Sequence, residues 1–358
     1  MMETMSSFSI AVIAGDGIGL EVMPPTLALL DQLAPKHGAE FRYTHFDWGT
    51  DYYFQHGRMM PEDALEQLRP HDAILLGAIG HPKVQDNITL NGLLLPIRRT
   101  FDRYVCERPA KLYAGVRSPL ADKKPGEIDM VVVRENTEGE YAQIGGPLYR
   151  DFPDEIAIQT SVFTRKGCER IIRHAFELAR KRNSKKRVAS ITKSNAQGYS
   201  MVLWDKCFAR VREEFPDIET ESLLVDAAAM NFVRRPESFD VVVGSNLFGD
   251  ILSDLSAMIT GSMGLAPSSN VNPSRDVPSM FEPVHGSAPD IAGKGLANPL
   301  AMILSARMML DFFGLTAAGD AVEAAVAGVL AEGKALPADL GGSASTTEVS
   351  DAVAANLA

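Results

Sequence analysis

Four short apolar runs each close on glycine or a polar cluster: "FSIAVIAG" (8–15), "DAILLGAIG" (72–80), "DMVVVREN" (129–136) and "FDVVVGSNLFGD" (239–250). Brief runs rich in β-branched residues read as strands buried on both faces, the kind found in sheets covered by helices. Helical segments lie between them. "GLEVMPPTLALLDQLA" (19–34) follows the first run, with Pro24 and Pro25 expected to kink or restart it. "KGCERIIRHAFELARKR" (166–182) has helical periodicity and basic residues in its last turn. An α/β chain follows, with polar residues delivered at strand carboxyl ends, where open α/β sheets hold ligands. "PDEIAIQTSVFT" (153–164) alternates like a strand without an evident partner. It reads equally as an edge strand or as an arm toward a second subunit.

The first run ends in Gly15-Asp16-Gly17-Ile18-Gly19, close to the glycine fingerprint of a dinucleotide-binding turn. That fingerprint places its third glycine three residues after the second, where this chain has Leu20. A cofactor is therefore sought elsewhere. At 358 residues the chain exceeds what one core usually serves, so two domains are expected. The formal net charge of −11 argues against a nucleic-acid partner. No apolar run approaches the roughly 20 residues that span a bilayer, and "MMETMSSFS" lacks the basic start of a secretory signal. Cys106, Cys168 and Cys207 are few, far apart and without metal-type spacing, so they read as free thiols. A cytoplasmic enzyme is expected.

Three groups of residues carry chemistry. Asp250 and Asp254 lie four apart in "SNLFGDILSDLSAM" and share a helix face. They form either a solvated acidic face or a cation site. Ile251, Leu252 and Leu255 make the helix look largely buried, and buried carboxylates need a cation, for which Mg²⁺ or Mn²⁺ is suited. Asp226, after the apolar "LLV", is a further candidate ligand that spacing cannot place. Arg98, Arg108 and Arg134 are suited to bidentate carboxylate recognition, and Arg134 ends a strand where exposure is disfavoured. Lys193, at the end of "RVASIT", and Tyr141, in "NTEGEY", are proton-handling candidates, as base and donor. A metal site beside arginines suggests a small substrate with more than one carboxylate.

"GDGIG", "RPAKLY", "VVRENTEGEY", "TKSN", "SNLFGDILSDL" and "EPVHGSAPDIAGKGLANP" stand in this order. In that set the chain resembles the decarboxylating β-hydroxyacid dehydrogenases, a family of isocitrate, 3-isopropylmalate, homoisocitrate and tartrate/D-malate dehydrogenases. The resemblance covers essentially the whole chain. It implies the two-domain isopropylmalate-dehydrogenase-like α/β fold, not a standard Rossmann domain, with the active site in the cleft between domains. Residues 1–103 and 262–358 would form a large domain, and 104–261 a small one bearing the dimer interface and arm. The resemblance implies that "GDGIG" shapes the cleft floor, while NAD lies on the loop from His285.

Small residues in that loop let a backbone approach a flat ligand. The implied NAD contacts are His285, Gly286, Ser287, Ala288, Asp290, Ile291 and Asn298, with His285 and Asn298 at adenine. Asp290 can accept from both ribose hydroxyls and repels a 2′-phosphate. NADP-using members carry lysine and tyrosine at the Asp290-Ile291 positions, so NAD is expected. Carried over residue by residue, Arg98, Arg108 and Arg134 resemble the substrate-carboxylate arginines. Asp226, Asp250 and Asp254 resemble the Mg²⁺ or Mn²⁺ ligands, and K⁺ is an optional accessory ion. Asp226 and Lys193 would come from the partner chain of a homodimer. Lys193 or Asp226 would take the hydroxyl proton, hydride would pass to NAD, and Tyr141 would protonate the product after CO₂ leaves.

Specificity in the family lies partly in the helix before Arg98, here "TLNGLLLPIRR". Isocitrate enzymes place serine and asparagine where this chain has Gly92 and Leu94, so isocitrate is disfavoured. Leu94 and Leu95 resemble the apolar wall of isopropylmalate enzymes, the alternative reading, or simply pack the helix. "DYYFQHGRMMPED", "GVRSPLADKKPGEIDM" and "GLAPSSNVNPSRDVPSM" point to the tartrate/D-malate branch. That branch carries tryptophan where this chain has Asn91, which can bond an extra substrate hydroxyl or leave space for a larger side chain. Three rivals from other classes are weighed as well. A non-catalytic subunit of the same fold should lack some site residues, and all are present. A phosphoryl-transfer enzyme should carry a P-loop, and "GDGIG" lacks the following Lys-Ser/Thr. A nucleic-acid binder is disfavoured by the charge.

Overall fold

The computed structural model describes residues 5–357. The strands are β1 (Ser6–Gly15), β2 (Ala39–His45), β3 (Ala73–Ala78), β4 (Val105–Lys111), β5 (Asp129–Glu135) and β6 (Gly139–Leu148). They continue with β7 (Ile156–Val162), β8 (Arg187–Thr192), β9 (Glu219–Leu224), β10 (Val241–Gly244), β11 (Pro267–Val271) and β12 (Ser279–Pro283). Ten of them form one sheet in the order β2-β1-β3-β12-β11-β4-β5-β10-β8-β9. The four apolar runs supply β1, β3, β5 and β10, and Val131, Val132, Val133, Val241, Val242 and Val243 are all buried.

The sheet has two halves of opposite polarity. β2, β1, β3 and β12 run parallel to one another, as do β5, β10, β8 and β9. Between them, the pairings β12–β11, β11–β4 and β4–β5 are all antiparallel. Three reversals leave the halves pointing oppositely. The carboxyl ends of β1, β3 and β12 therefore lie at one edge, and those of β5, β10 and β8 at the other. The expectation of a single ligand edge is corrected on this point: the functional residues meet over the central strands. Mixed polarity also excludes a standard Rossmann sheet.

Three local expectations are amended. The helix Gly19–Leu33 runs unbroken through Pro24 and Pro25. The turn that loses its donors begins at the exposed Leu20, and the Thr26 hydroxyl donates to the Val22 carbonyl at 2.8 Å. "PDEIAIQTSVFT" is no edge of the main sheet: β7 pairs antiparallel with β6 in a separate two-stranded ribbon. Its Ile144, Leu148, Ile156 and Ile158 are exposed. Finally, Ile251 is 55 % exposed, although Leu252 beside it is fully buried, because the two point to opposite sides of the helix Asn246–Ile259. The three cysteines are free and buried, and no helix among the described residues is long and apolar enough to cross a membrane.

Candidate active site

"GDGIG" is a structural joint. Asp16 is buried and accepts from the Thr50 amide at 2.8 Å, the Thr50 hydroxyl at 2.7 Å and the Gly80 amide at 2.9 Å. It thereby ties together the segments that follow β1, β2 and β3. Gly17 has φ +55°, and a Cβ there would lie 2.2 Å from the Ser287 carbonyl oxygen. That carbonyl accepts from the Ile18 amide at 2.9 Å. The turn thus seats the 285–298 loop on the sheet, and no third fingerprint glycine is needed.

A cleft of about 620 Å³ opens over the central strands. Arg98, Arg108, Arg134, Tyr141, Asp250 and Glu282 all line it. Arg108 projects from β4, Arg134 from β5 and Arg98 from the helix Leu95–Thr100. All three arginines are buried, which without counter-charge costs heavily. Two acids supply that charge. Asp250 accepts from Arg108 Nη1 at 3.1 Å, from Arg134 Nη1, and from the Tyr141 hydroxyl at 2.7 Å. Glu282 accepts from Arg98 Nη2 at 2.6 Å and from Asn270 Nδ2 at 2.8 Å. Arg134 is further fixed by donating twice to Asn246 Oδ1, at 3.0 and 2.7 Å. Among the described residues Arg98 Nε and Arg108 Nε, both buried, have no partner.

Burial pushes the Asp250 carboxyl upward, but Arg134 and Arg108 outweigh it and hold the group below its ordinary value. Asp254 is more exposed and lies 3.5 Å from Arg108; burial, with Asp250 beside it, outweighs Arg108 and Arg134 and raises it. Two neighbouring carboxylates thus differ in compensation, and Asp254 is the less fully paired of the two. Burial, then the bond to Asp250, raises the Tyr141 phenol, keeping it protonated as a donor must be.

Asp226 and Lys193 form a different pair. Lys193 Nζ donates to Asp226 Oδ1 at 2.5 Å, an interaction that holds Asp226 below its ordinary value. Neither residue lines the cleft. Among the described residues no three His, Cys, Asp or Glu converge as a metal site within one chain. The arginines, Tyr141 and Asp250 are therefore brought together, Asp254 stands beside Arg108, and Asp226 with Lys193 stands apart.

His285 and Gly286 also line the cleft. Among the described residues His285 Nε2 is buried without a partner, and burial lowers the ring's pKa, favouring the neutral imidazole. Asp290 is exposed, and Ala288 holds φ +41° in the same loop. Asn298 is engaged within the fold: its Nδ2 donates to Asp339 at 3.0 Å and its Oδ1 accepts from the Leu300 amide at 3.0 Å. Asn91 and Leu94 line the cleft as well, on a π-helical turn at Leu90–Leu94. Sequence reading missed Glu282, Glu140, Gln143 and Gln159. Glu140 accepts from the Ser245 hydroxyl at 2.8 Å and the Leu247 amide at 3.1 Å, anchoring the start of the aspartate helix. A lone acid inside the buried "SMFEP" was a readable signal for Glu282; the two glutamines offered none.

Fold and cleft together define the class: an α/β protein whose arginine-lined cleft spans two oppositely directed sheet halves. The chain belongs to the isocitrate/isopropylmalate dehydrogenase family, whose profile matches residues 9–353. It is 50% identical over 360 residues to a tartrate dehydrogenase/decarboxylase of Pseudomonas putida, covering 98% of each chain. It is 49% identical over 360 residues to a D-malate dehydrogenase (decarboxylating) of Escherichia coli strain K12, covering 99% of this chain and 98% of that one. An isocitrate dehydrogenase structure from Methylococcus capsulatus superposes with TM-score 0.88 at 33% identity, covering 98% and 99%. The chain is accordingly an oxidoreductase acting on a CH–OH donor.

Proposed function

We propose that the protein oxidises and decarboxylates a small 2-hydroxy dicarboxylate, D-malate or a tartrate, with NAD⁺ and Mg²⁺ or Mn²⁺. The observation that carries this is one cleft holding three buried arginines, a half-buried phenol and a helix carboxylate. Carboxylate oxygens on Asp250 and Asp254 suit a hard divalent cation, and the unpartnered His285 Nε2 suits a nucleotide on the 285–298 loop. When bound, NAD⁺ supplies a hydride acceptor and the cation a Lewis acid.

The residues divide the remaining work. Arg98, Arg108 and Arg134 clamp the substrate carboxylates and fix its orientation. Lys193 or Asp226, joined by a hydrogen bond, takes the proton of the 2-hydroxyl as hydride leaves C2. The 2-keto acid then has a carboxylate β to its carbonyl, which departs as CO₂. Tyr141 protonates C3 in its place, helped by the Asp250 and Arg134 contacts that fix its ring.

Lys193 and Asp226 reach a cleft only if a second chain supplies them, so we infer a homodimer. Met230, Val233, Ile251 and Met258 support it as an exposed apolar face on the packed helices Val225–Arg234 and Asn246–Ile259. Large apolar side chains clustered on a surface mark an association site. The ribbon β6–β7 fits an arm for the same partner. A cytoplasmic setting is in keeping with the free buried thiols. We further propose the large and small domains as 1–103 with 262–358, and 104–261.

A second reading, 3-isopropylmalate, is favoured by Leu90, Leu94 and Leu95 lining the same cleft. The reading is tested by saturable NAD⁺ reduction with D-malate that chelator abolishes and Mn²⁺ restores. Turnover indifferent to chelator, or faster with NADP⁺, refutes the cofactor assignment.

A further inference from the structure

We propose that Asn91 and Gln143 form an amide pair that reads the substituent on C3 of the substrate, favouring a hydroxyl over an alkyl group. This rests on the 2-hydroxy dicarboxylate reading above. Asn91 Nδ2 donates to the Asn87 carbonyl at 2.7 Å, and Asn91 Oδ1 accepts from Gln143 Nε2. The two are 52 residues apart in sequence. Both line the cleft beside Tyr141 and Arg98.

The ribbon explains how Gln143 arrives there. Gly139 pairs with Val162 and Ile144 with Thr160, so β6 spends five residues where β7 spends two. The surplus bulges, and bulges re-aim side chains. Gln159 Nε2 braces the bulge by donating to the Ala142 carbonyl at 2.6 Å. Tyr141, bonded to Asp250, and Gln143, bonded to Asn91, stand two residues apart in that bulge and line the same cleft. In the reaction above Tyr141 delivers its proton to C3. Gln143, held by Asn91 in the same cleft, is therefore placed to meet whatever C3 carries.

The amides are suited to a hydroxyl. Among the described residues Gln143 Oε1 accepts no hydrogen bond, and both side chains are exposed to the cleft. Together they offer N–H donors and a free carbonyl oxygen, matching a group that both donates and accepts. An alkyl group placed against them would strip water from these polar atoms and return nothing. This inverts the expectation for an isopropyl-bearing substrate and sets the amide pair against the leucines of the same cleft.

The test is kcat/KM for (2R,3R)-tartrate, meso-tartrate and 3-isopropylmalate, each divided by that for D-malate, which has no C3 substituent. Wild type is compared with Asn91→Leu and Gln143→Leu, both at exposed positions. Losing one neutral hydrogen bond should lower the better tartrate-to-D-malate ratio by about two- to tenfold in each variant. The 3-isopropylmalate-to-D-malate ratio should rise in both. Unmoved ratios in variants that still turn over D-malate overturn the inference alone. A wild type that turns over neither D-malate nor a tartrate refutes the parent reading, and this inference with it.

Discussion

Asp250→Asn is the substitution on which the account of the cleft depends most. The asparagine is isosteric, so no cavity opens and the shape of the helix Asn246–Ile259 is kept. What goes is the one negative charge shared by Arg108 and Arg134, while the new amide directs N–H donors at donors. The Arg134 side chain is 2 % exposed and that of Asp250 30 %. Breaking a buried pair by removing one partner costs about 3–5 kcal/mol, and partial exposure of the acid argues for the lower end, about 3 kcal/mol. With a guanidinium m-value of about 5 kcal/mol/M, that moves the unfolding midpoint down by about 0.6 M. Trp48 and Trp204 are both buried, one in each half of the chain, and their fluorescence reports the transition. A second arm adds Mn²⁺: a cation at 100 times its Kd stabilises wild type by about 2.7 kcal/mol, and the variant should gain almost none. A midpoint within 0.1 M of wild type, with Mn²⁺ stabilisation intact, would refute the reasoning.

Three further substitutions test separate parts of the site. Asp290→Gly should raise kcat/KM for NADP⁺ about tenfold, since one exposed charge facing a doubly charged phosphate near 5 Å is worth about 1.7 kcal/mol in water; an unchanged NADP⁺/NAD⁺ ratio would remove Asp290 from the ribose site. Gly17→Ala should destabilise by about 1–3 kcal/mol and raise KM for NAD⁺ more than for the acid, because a left-handed φ and the Ser287 carbonyl both oppose a Cβ. Equal effects on both KM values would detach the turn from the cofactor loop. Lys193→Ala and Asp250→Asn chains, each inactive alone, should regain about a quarter of wild-type activity when unfolded and refolded together, since half the dimers are mixed and each holds one intact site. Activity that stays at background would place Lys193 in its own chain's site.

Much of the fold was legible because the inner strands of each sheet half advertise themselves. β1, β3, β5 and β10 are continuous apolar runs, and nothing but a covered sheet buries them. The central reversal was illegible because β11 and β12 read "PSSNV" and "SMFEP". Their Ser268, Asn270 and Glu282 are buried but satisfied by partners distant in sequence, such as the Ser305 hydroxyl, Asn136 and Arg98. Buried polar strands of this kind carry no periodic apolar signal. β6 hid behind Gly145 and Gly146, residues depleted in strands. At the site, Arg134 and the Asp250–Asp254 spacing were readable because each broke a local rule: a charge closing a strand, and like charges on one helix face. Glu282, a lone acid in the buried "SMFEP", broke the same kind of rule and was overlooked, whereas Gln143 broke none and only tertiary contact reveals it.

The most direct test is NADH formation with Mn²⁺ and K⁺ across D-malate, L- and meso-tartrate, 3-isopropylmalate and isocitrate, with CO₂ release followed in parallel. The account predicts that D-malate or a tartrate gives the highest kcat/KM, with one CO₂ released per NADH from D-malate. NADH formed from D-malate without CO₂, or a preference for isocitrate, would contradict it.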